Sequence, residues 1–391
     1  MAAKLIRVGL VFTHGLAYCR AVLRGIEAYA EARPHWVFAH VPPETRAIQK
    51  LAPLELDGMI AHAFTNALAE ALVGLGKPLV NVSAVLPGST PPRVGVDDVR
   101  CGALAADHLL DRGFRHFAFI GHRDHAYSVR RERGFRQAIE AAGHRLTCYY
   151  EPRGRAFDPI GRLWTLDENI HRWICSLAKP VGIFAPNDIW GEQLTEVCRQ
   201  TNRRVPEDVA IIGVDNDDLF CRLARPSLSS IALPGGRIGY EAAVLLDRLL
   251  AGATPPRRPL LFPPLAVISR RSSDVVAVAD PDVAAAICFI REQGHRPLTA
   301  KEVLRAVPLS RRSLERRFRR ALGRTLLEEI HRDHVERARR LLAETDLPMP
   351  VVASRSGFSD ARQLSVRFRQ ATGLTPTTYR RGFRRETTKW C

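Results

Sequence analysis

VASRSGFSDARQLSVRFRQATGLTPTTYRR, residues 352–381, decides the reading of this chain. A short helix over 350–355 runs into Ser356-Gly357-Phe358, a turn whose glycine tolerates the left-handed backbone of a tight reversal. Ser359 stands where a cap is needed for a second helix over 360–372, which Gly373 closes. Leu364 and Phe368 form its inward stripe, and Arg362, Ser365 and Arg369 fall on the opposite side.

The same unit stands upstream. Thr299 caps a helix over 300–306. Pro308 ends it, because proline lacks an N–H and restricts the residue before it. Ser310 caps a helix over 311–322, closed by Gly323. Leu314, Phe318 and Leu322 form the inward stripe, and Arg312, Glu315, Arg316 and Arg319 the outward one. Between the units, residues 326–344 are good helix formers. At 1.5 Å per residue that rod is roughly 27 Å long, against about 34 Å between successive major-groove faces on one side of a duplex. One arginine-rich amphipathic helix alone is most often a solvated surface. Two such units in tandem, spaced for neighbouring groove turns, point to double-stranded DNA.

The charge distribution agrees. The 391 residues carry a net charge of +17. Residues 275–391 hold 24 basic and 13 acidic side chains, against 34 and 28 in residues 1–274. The excess concentrates beside the two motifs, where an anionic partner would bind. The eight cysteines are scattered singly, with no C-x-x-C and no Cys/His cluster. No metal site, cofactor or disulfide framework is expected, and free thiols suit a cytoplasmic protein. Residues 1–10 read as a first strand rather than a signal peptide, and no apolar run is long enough to span a membrane.

From residue 4 to about 270, short apolar runs alternate with amphipathic stretches. Strands are expected over 5–12, 37–40, 58–61, 79–82, 116–120, 147–150, 181–185, 209–214 and 229–232. Helices are expected over 18–32, 100–112, 128–142, 189–201 and 237–251. That alternation means parallel sheets covered by helices, and so many strands mean two doubly wound α/β lobes with a cleft between them. Residues 254–264, with five prolines, break the pattern, and a strand-like stretch over 265–269 follows. The expected division is a two-lobed α/β sensing domain over 1–272, a linker over 273–282, and an all-α domain over 283–391.

Residues 283–385 resemble the AraC family of transcription regulators. Ala353, Gly357, Phe358, Phe368, Gly373, Pro376, Tyr379 and Arg380 fall where that family's C-terminal signature has them, and Leu364 stands where it often has Phe. The resemblance implies base contacts by Arg312, Glu315 and Arg316 in the first reader helix, and by Ala361, Arg362 and Ser365 in the second. Arg319 and Arg369 share those faces.

The first two-thirds resemble the LacI/GalR regulators and periplasmic sugar-binding proteins. The likeness rests on R-x-x-G-F at 131–135, Asn187-Asp188 after a strand, and G-x-D at 213–215. It implies that Arg131, Asn187 and Asp215 contact sugar hydroxyls. Asp188, Tyr18 and Arg20 are added as candidates, with His14, His62 and Asp97 weighed behind them. Phe12, Tyr18, Trp190 or Phe220 would cover the apolar face of a ring. The plainer alternatives are that Asn187 and Asp188 cap a helix, Asp215 serves a turn and Arg131 is solvated. His122 and His125 have no metal-ligand spacing with a carboxylate.

A LacI-type sensor before an AraC-type domain resembles the xylose-operon class of bacterial activators. That likeness extends to AIIGVDNDDL (210–219), SLSSIALPGGRIGYEAAVLL (227–246), LFPPLAVISRRSSD (261–274) and DPDVAAAICFIREQG (280–294). The expectation is a non-enzymatic activator of pentose catabolism genes, working as a homodimer on a direct-repeat operator. A small sugar would induce it, and it would recruit RNA polymerase. The competing reading is an α/β enzyme acting on a sugar or nucleotide with a basic appendage. No P-loop, G-x-G-x-x-G or G-x-S-x-G supports it.

Overall fold

The computed structural model describes residues 5–49, 55–86, 91–151, 168–274 and 280–384. The first lobe contains β1 (Ile6–Val11), α1 (Ala17–Ala30), β2 (Trp36–Val41), α2 (Thr45–Gln49), β3 (Gly58–Ala61), α3 (Asn66–Gly74) and β4 (Leu79–Asn81). Its sheet is parallel, in the order β2-β1-β3-β4. After β5 (Val94–Val96) the chain enters the second lobe. That lobe holds α4 (Asp98–Leu110), β6 (His116–Gly121), α5 (Ala126–Ala141), β7 (Leu146–Tyr150), α6 (Glu168–Ser176), β8 (Val181–Phe184), α7 (Asp188–Gln200), β9 (Val209–Asp215), α8 (Asp218–Leu223) and β10 (Ser229–Ala232). Then α9 (Gly235–Leu250) returns to pack on α1, and β11 (Leu260–Phe262) pairs with β5. Finally β12 (Ala266–Ile268) joins the second sheet antiparallel to β10, completing the order β12-β10-β9-β8-β6-β7. The chain therefore passes between the lobes beside Asp97, beside Leu233 and at 263–265, the arrangement a hinge requires.

Strands β3, β8 and β10 are buried along their whole length, as parallel strands covered on both faces must be. Two short strands are absent from the sequence reading, β5 and β11. Prolines flank Leu260-Leu261-Phe262 without interrupting it, so a stretch that reads as a break still pairs with Val94-Gly95-Val96. The expected linker is packed at both ends. Ser273 is buried and its Oγ lies 2.7 Å from Ser229 Oγ, while Asp280 caps the next helix. Residues 275–279 lie outside the described residues, as does Cys391.

The final third comprises α10 (Pro281–Gln293), α11 (Ala300–Ala306), α12 (Arg311–Leu322), α13 (Leu326–Glu344), α14 (Met349–Arg355), α15 (Ala361–Thr372) and α16 (Pro376–Arg384). The caps explain the boundaries. Thr299 with Glu302 and Thr325 with Glu328 form capping boxes. Gly323 and Gly373 end α12 and α15 with left-handed φ of 70° and 74°. One expected cap is displaced by a residue. Asp360, not Ser359, caps α15, its Oδ1 accepting Gln363 N at 2.7 Å. A carboxylate also complements the positive helix end, and Ser359 Oγ instead bonds Asp360 at 2.9 Å.

Helix α13 serves two cores. Leu326 and Ile330 bury with Leu314 and Phe318 of the first helix-turn-helix unit. Val335, Ala338 and Leu342 bury with Leu364 and Phe368 of the second, in a cluster that also takes in Ala266 and Ile268 of β12. Within the sensor, α4 and α5 touch backbone to backbone. A Cβ at Gly102 would collide with Arg131 O, and one at Gly134 with Val99 O. Gly102→Ala is therefore expected to cost roughly 1–3 kcal/mol of stability, read as a lower urea midpoint at unchanged slope. An unchanged midpoint would mean that the helices have room to spare.

Candidate effector cavity and nucleic-acid interface

A cavity of about 100 Å³ lies between the lobes. Tyr18 at the start of α1 and His62 after β3 line it from the first lobe. His122 and His125 after β6, Tyr127 and Arg131 on α5, Asn187 to Trp190 at the start of α7, and Asp215, Asp217 and Phe220 around the end of β9 line it from the second. The loops sit at the carboxyl ends of parallel strands, where ligands of open α/β sheets bind. A space of this size suits one small ring rather than a nucleotide or a disaccharide.

Arg131 is 4 % exposed. Its Nε donates to Asp98 Oδ1 at 3.0 Å and its Nη1 to the carbonyl of Pro186 at 2.5 Å. The other oxygen of Asp98 takes Arg130 Nη2 at 2.9 Å, and the same nitrogen reaches the carbonyl of Ala84 in the first lobe at 3.1 Å. Asp98 is a residue the sequence reading did not single out, since an acidic residue in a first helical turn ordinarily only complements the dipole.

Asp215 holds a positive φ of 108°, a backbone state that costs roughly 1–3 kcal/mol for a non-glycine residue and is common at binding sites. Its neighbour is pinned, Asn216 N donating to Ser230 Oγ at 2.9 Å and Arg270 Nη2 to Asn216 Oδ1 at 2.8 Å. Burial pushes the Asp215 carboxyl up to about 7, against the opposing pull of Arg131. Asp188, 1 % exposed, is raised by burial and then by Asp215. Its oxygens take Asp217 N at 2.7 Å and Ser230 Oγ at 2.5 Å, so it mainly pins the loops that form the cavity wall.

Asn187 caps α7, its Oδ1 accepting Trp190 N at 3.0 Å, and its Nδ2 lies 3.5 Å from Tyr127 Oη. The amide thus caps the helix and still faces the cavity. Tyr18 Oη donates to Val82 O at 2.7 Å, leaving its lone pairs for a ligand. Arg20 does not reach the cavity. It donates to His14 O at 3.0 Å and Gly15 O at 2.8 Å, and lies 3.7 Å from Asp217. Asp217 also accepts Ala17 N at 3.2 Å, which makes it a latch between the lobes. His14 does not line the cavity either, Asp97 caps α4, and Phe12 is 1 % exposed in the core. A single missing or added residue between strand and helix decides such outcomes, and periodicity does not register it.

His122 and His125 are the largest gain over the sequence reading, and His62, weighed there behind others, joins them at the cavity. Burial lowers His62, His122 and His125 each to about 4, which leaves His62 and His125 neutral near pH 7, while His122 Nε2 lies 3.2 Å from Glu151 Oε2 and any charge on it is paired. The His122 ring lies 4.1 Å from that of His125, tilted by 47°, and meets Trp190 edge-on at 4.5 Å, forming an aromatic wall. His62 is 6 % exposed and its Nδ1 has no hydrogen-bond partner. An orphaned buried nitrogen on a residue that lines a cavity leaves a hydrogen-bonding capacity for a polar partner.

On the helical third, arginines sort into two groups. Arg317 binds Asp280 at 3.1 Å and Asp282 at 3.0 Å, Arg324 and Arg332 bind Glu329, and Arg337 binds Asp333 at 2.8 Å. Arg312, Arg316 and Arg319 on α12, and Arg362 and Arg369 on α15, are exposed and form no salt bridge among the described residues. Ser365 is exposed beside them and Ala361 is half-buried at the start of α15. Glu315 is half-buried and turns toward Leu326 N at 3.4 Å, at the joint with α13. Among the described residues no helix is long and apolar enough to cross a membrane.

Residues 106–273 match the periplasmic binding protein-like domain family and residues 303–382 a helix-turn-helix domain family. The chain is 32 % identical over 389 residues to the xylose operon regulatory protein of Escherichia coli K12, covering 97 % of this chain and 98 % of that one. It is 28 % identical over 391 residues to the protein of the same name from Haemophilus influenzae, covering 97 % and 99 %. A solved structure of a xylose-binding transcription activator shares 30 % identity and a TM-score of 0.62, covering 97 % of this chain and 99 % of that one. These relatives are regulators rather than enzymes. With a two-lobed sensor ahead of paired helix-turn-helix units along its length, the chain belongs to the family of xylose operon regulatory proteins, DNA-binding transcription regulators of the AraC type.

Proposed function

We propose that this chain is a cytoplasmic activator that binds a neutral pentose, D-xylose in the first instance, between its lobes. In answer, residues 283–391 engage a direct-repeat operator as a homodimer and recruit RNA polymerase. Residues 1–272 sense and 273–282 connect. The observation that carries the reading is the charge state of the cavity. Among the described residues lining it, the charge of the one guanidinium, Arg131, is matched by Asp98, His62 and His125 are neutral, and His122 is paired with Glu151. No free cation is left for a phosphate or a sugar acid. What remains suits hydroxyls: Asp215 and the Tyr18 oxygen accept, the Asn187 amide and Arg131 donate, and His62 Nδ1 takes either role. Trp190 and Phe220 supply the apolar cover. Asp188 supports from behind, and Arg20 acts through the Asp217 latch rather than by touching the sugar. On the DNA side, Arg312 and Arg316 read bases from α12 and Arg362 and Ser365 from α15. Ala361 offers a methyl contact, Arg319 and Arg369 neutralise phosphates, and Glu315 orients the start of α13.

The effector reading is tested by melting the protein against pentoses, hexoses, pentitols and their phosphates. A binding sugar at 100 times its Kd stabilises by about 2.7 kcal/mol. Xylose is expected to raise the melting temperature and xylose 5-phosphate is not. A preference for the phosphate would overturn the reading.

The sign of the pH effect follows from Asp215. Its folded carboxyl titrates near 7, well above the ordinary value of 3.8, so between those values the native protein holds a proton that the unfolded chain has lost. Its contribution to stability therefore declines from about pH 4 to pH 7. Sugar hydroxyls favour the ionised acceptor, so sugar affinity should climb from pH 6 to pH 8, and Asp215→Asn should flatten that climb while weakening binding. Titration calorimetry across the range reads both. His62 and His125, neutral throughout it, do not contribute.

On the DNA, Arg312→Ala or Arg316→Ala should cost roughly 1–3 kcal/mol and relax preference at particular base pairs. Arg319→Ala should weaken all sequences alike and shallow the salt dependence. Selection from random duplexes followed by salt titration reads each effect, and unchanged base preference in both of the first two variants would mean that another face reads the bases.

A further inference from the structure

One helix touches both the effector cavity and the helical third. Helix α4 begins with Asp98, which holds Arg131 at 3.0 Å and Arg130 at 2.9 Å. It ends at Asp111, whose carbonyl accepts Arg324 Nη2 at 2.5 Å and whose carboxylate lies 3.4 Å from Arg324 Nη1. The helix between is roughly 20 Å long at 1.5 Å per residue. Arg324 occupies a particular place. It follows Gly323, which closes α12, and precedes Thr325, which caps α13. It is fixed there by Glu329 at 2.5 Å, a carboxylate that is 1 % exposed and also held by Arg332 at 2.7 Å.

Next to Asp111, the buried Arg112 donates from Nε to Ser273 O at 2.8 Å and from Nη2 to Ser269 Oγ at 2.9 Å. The same turn carries Asp274, which binds Arg291 of α10 at 3.2 Å. The end of α4 thus grips both the joint between first reader and spacer and the turn that leads to the helical third. The rod is also stiff where it matters. The crossing at Gly102 and Gly134 leaves no gap between α4 and α5, so the pair moves as one body with Arg131 and Tyr127 at its cavity end. The apolar core of the first helix-turn-helix unit includes no residue of residues 1–274, whereas that of the second is continuous with β12. Polar contacts re-partner at small cost, and an apolar core does not.

We propose that α4, locked to α5, is the rod that carries effector-driven movement of the cavity to the joint between α12 and α13, and that the Asp111–Arg324 contact delivers it to the first reader helix. This rests on the effector reading above and adds its route. The coupling must be reciprocal, DNA changing sugar affinity by the factor with which sugar changes DNA affinity.

The test breaks the contact from either side, with Arg324→Ala and Asp111→Arg, in the full chain. D-xylose is the probe ligand, and the DNA is a duplex selected from random sequence by the wild-type protein. Calorimetry gives sugar affinity, and fluorescence anisotropy gives DNA affinity with and without sugar. Asp111→Arg, which leaves the Arg324–Glu329 bridge in place, is expected to keep sugar affinity and sugar-free DNA affinity within about twofold, and Arg324→Ala to keep sugar affinity. The sugar-induced change in DNA affinity, on the order of 5- to 150-fold for coupled sites, should fall below about threefold. Asp111→Asn, which places no cation against Arg324, should retain most of the response. Full response in either disruptive variant overturns the route, as does a loss of sugar-free DNA affinity in Asp111→Arg, which would make the contact a prop for the joint. A wild-type protein that binds xylose without any change on DNA overturns the effector reading itself, so the two failures are told apart.

Discussion

The arrangement of the sensor depends on one buried carboxylate. Asp98 is 1 % exposed and anchors Arg130 and Arg131 together. Through Arg131 it sets the floor of the cavity, and through Arg130 it reaches the carbonyl of Ala84 across the hinge. A carboxylate taken this far out of water is tolerated only when fully partnered, and removing one partner of such a pair typically costs 3–5 kcal/mol. Two guanidiniums and the start of a helix satisfy it here. The price is rigidity, because Arg130 cannot turn toward a ligand without leaving a charge behind, and Arg131 can offer one only an N–H that Asp98 and Pro186 do not take.

That rigidity shapes the chemistry of the cavity. Its cation is already neutralised, His62 and His125 are stripped of charge by burial, and Asp215 is held near the point of protonation by the same desolvation. A low-dielectric, nearly uncharged space lined by directional donors and acceptors discriminates hydroxyl geometry rather than charge. The latch at Asp217, reaching Ala17 N and facing Arg20 across the cleft, gives closure a polar contact to make or break without exposing the core.

In the helical third, pairing sorts the positive charge. Arg317, Arg324, Arg332 and Arg337 are tied to carboxylates and hold helices together, while Arg312, Arg316, Arg319, Arg362 and Arg369 stand exposed on two helices. Paired arginines are structural and unpaired ones are available to phosphates and base edges. Because α13 contributes to the cores of both units, the two reader helices are mounted on one rod, and a displacement at its start reaches whatever the first of them touches.

The sequence by itself determined the two helix-turn-helix units and the helix between them almost residue by residue, while α10 and α16 stood outside its reading. Caps, a proline stop, glycine closures and four-residue stripes are local signals, and local hydrogen bonding decides helix ends; only the cap at Asp360 moved, to the stronger acceptor next door. It also determined the alternation that makes two parallel sheets, and it marked Arg131, Asn187 and Asp215 as neighbours of one cleft. Tertiary structure alone decided what the cleft is made of. His62, His122 and His125 come from loops that no periodicity orients, Tyr127 from the first turn of α5, Arg20 turned away from the cavity, and Asp98 acquired its role from residues more than thirty positions along the chain. Burial decides the charge of a histidine or an aspartate, and burial exists only once distant segments have packed together.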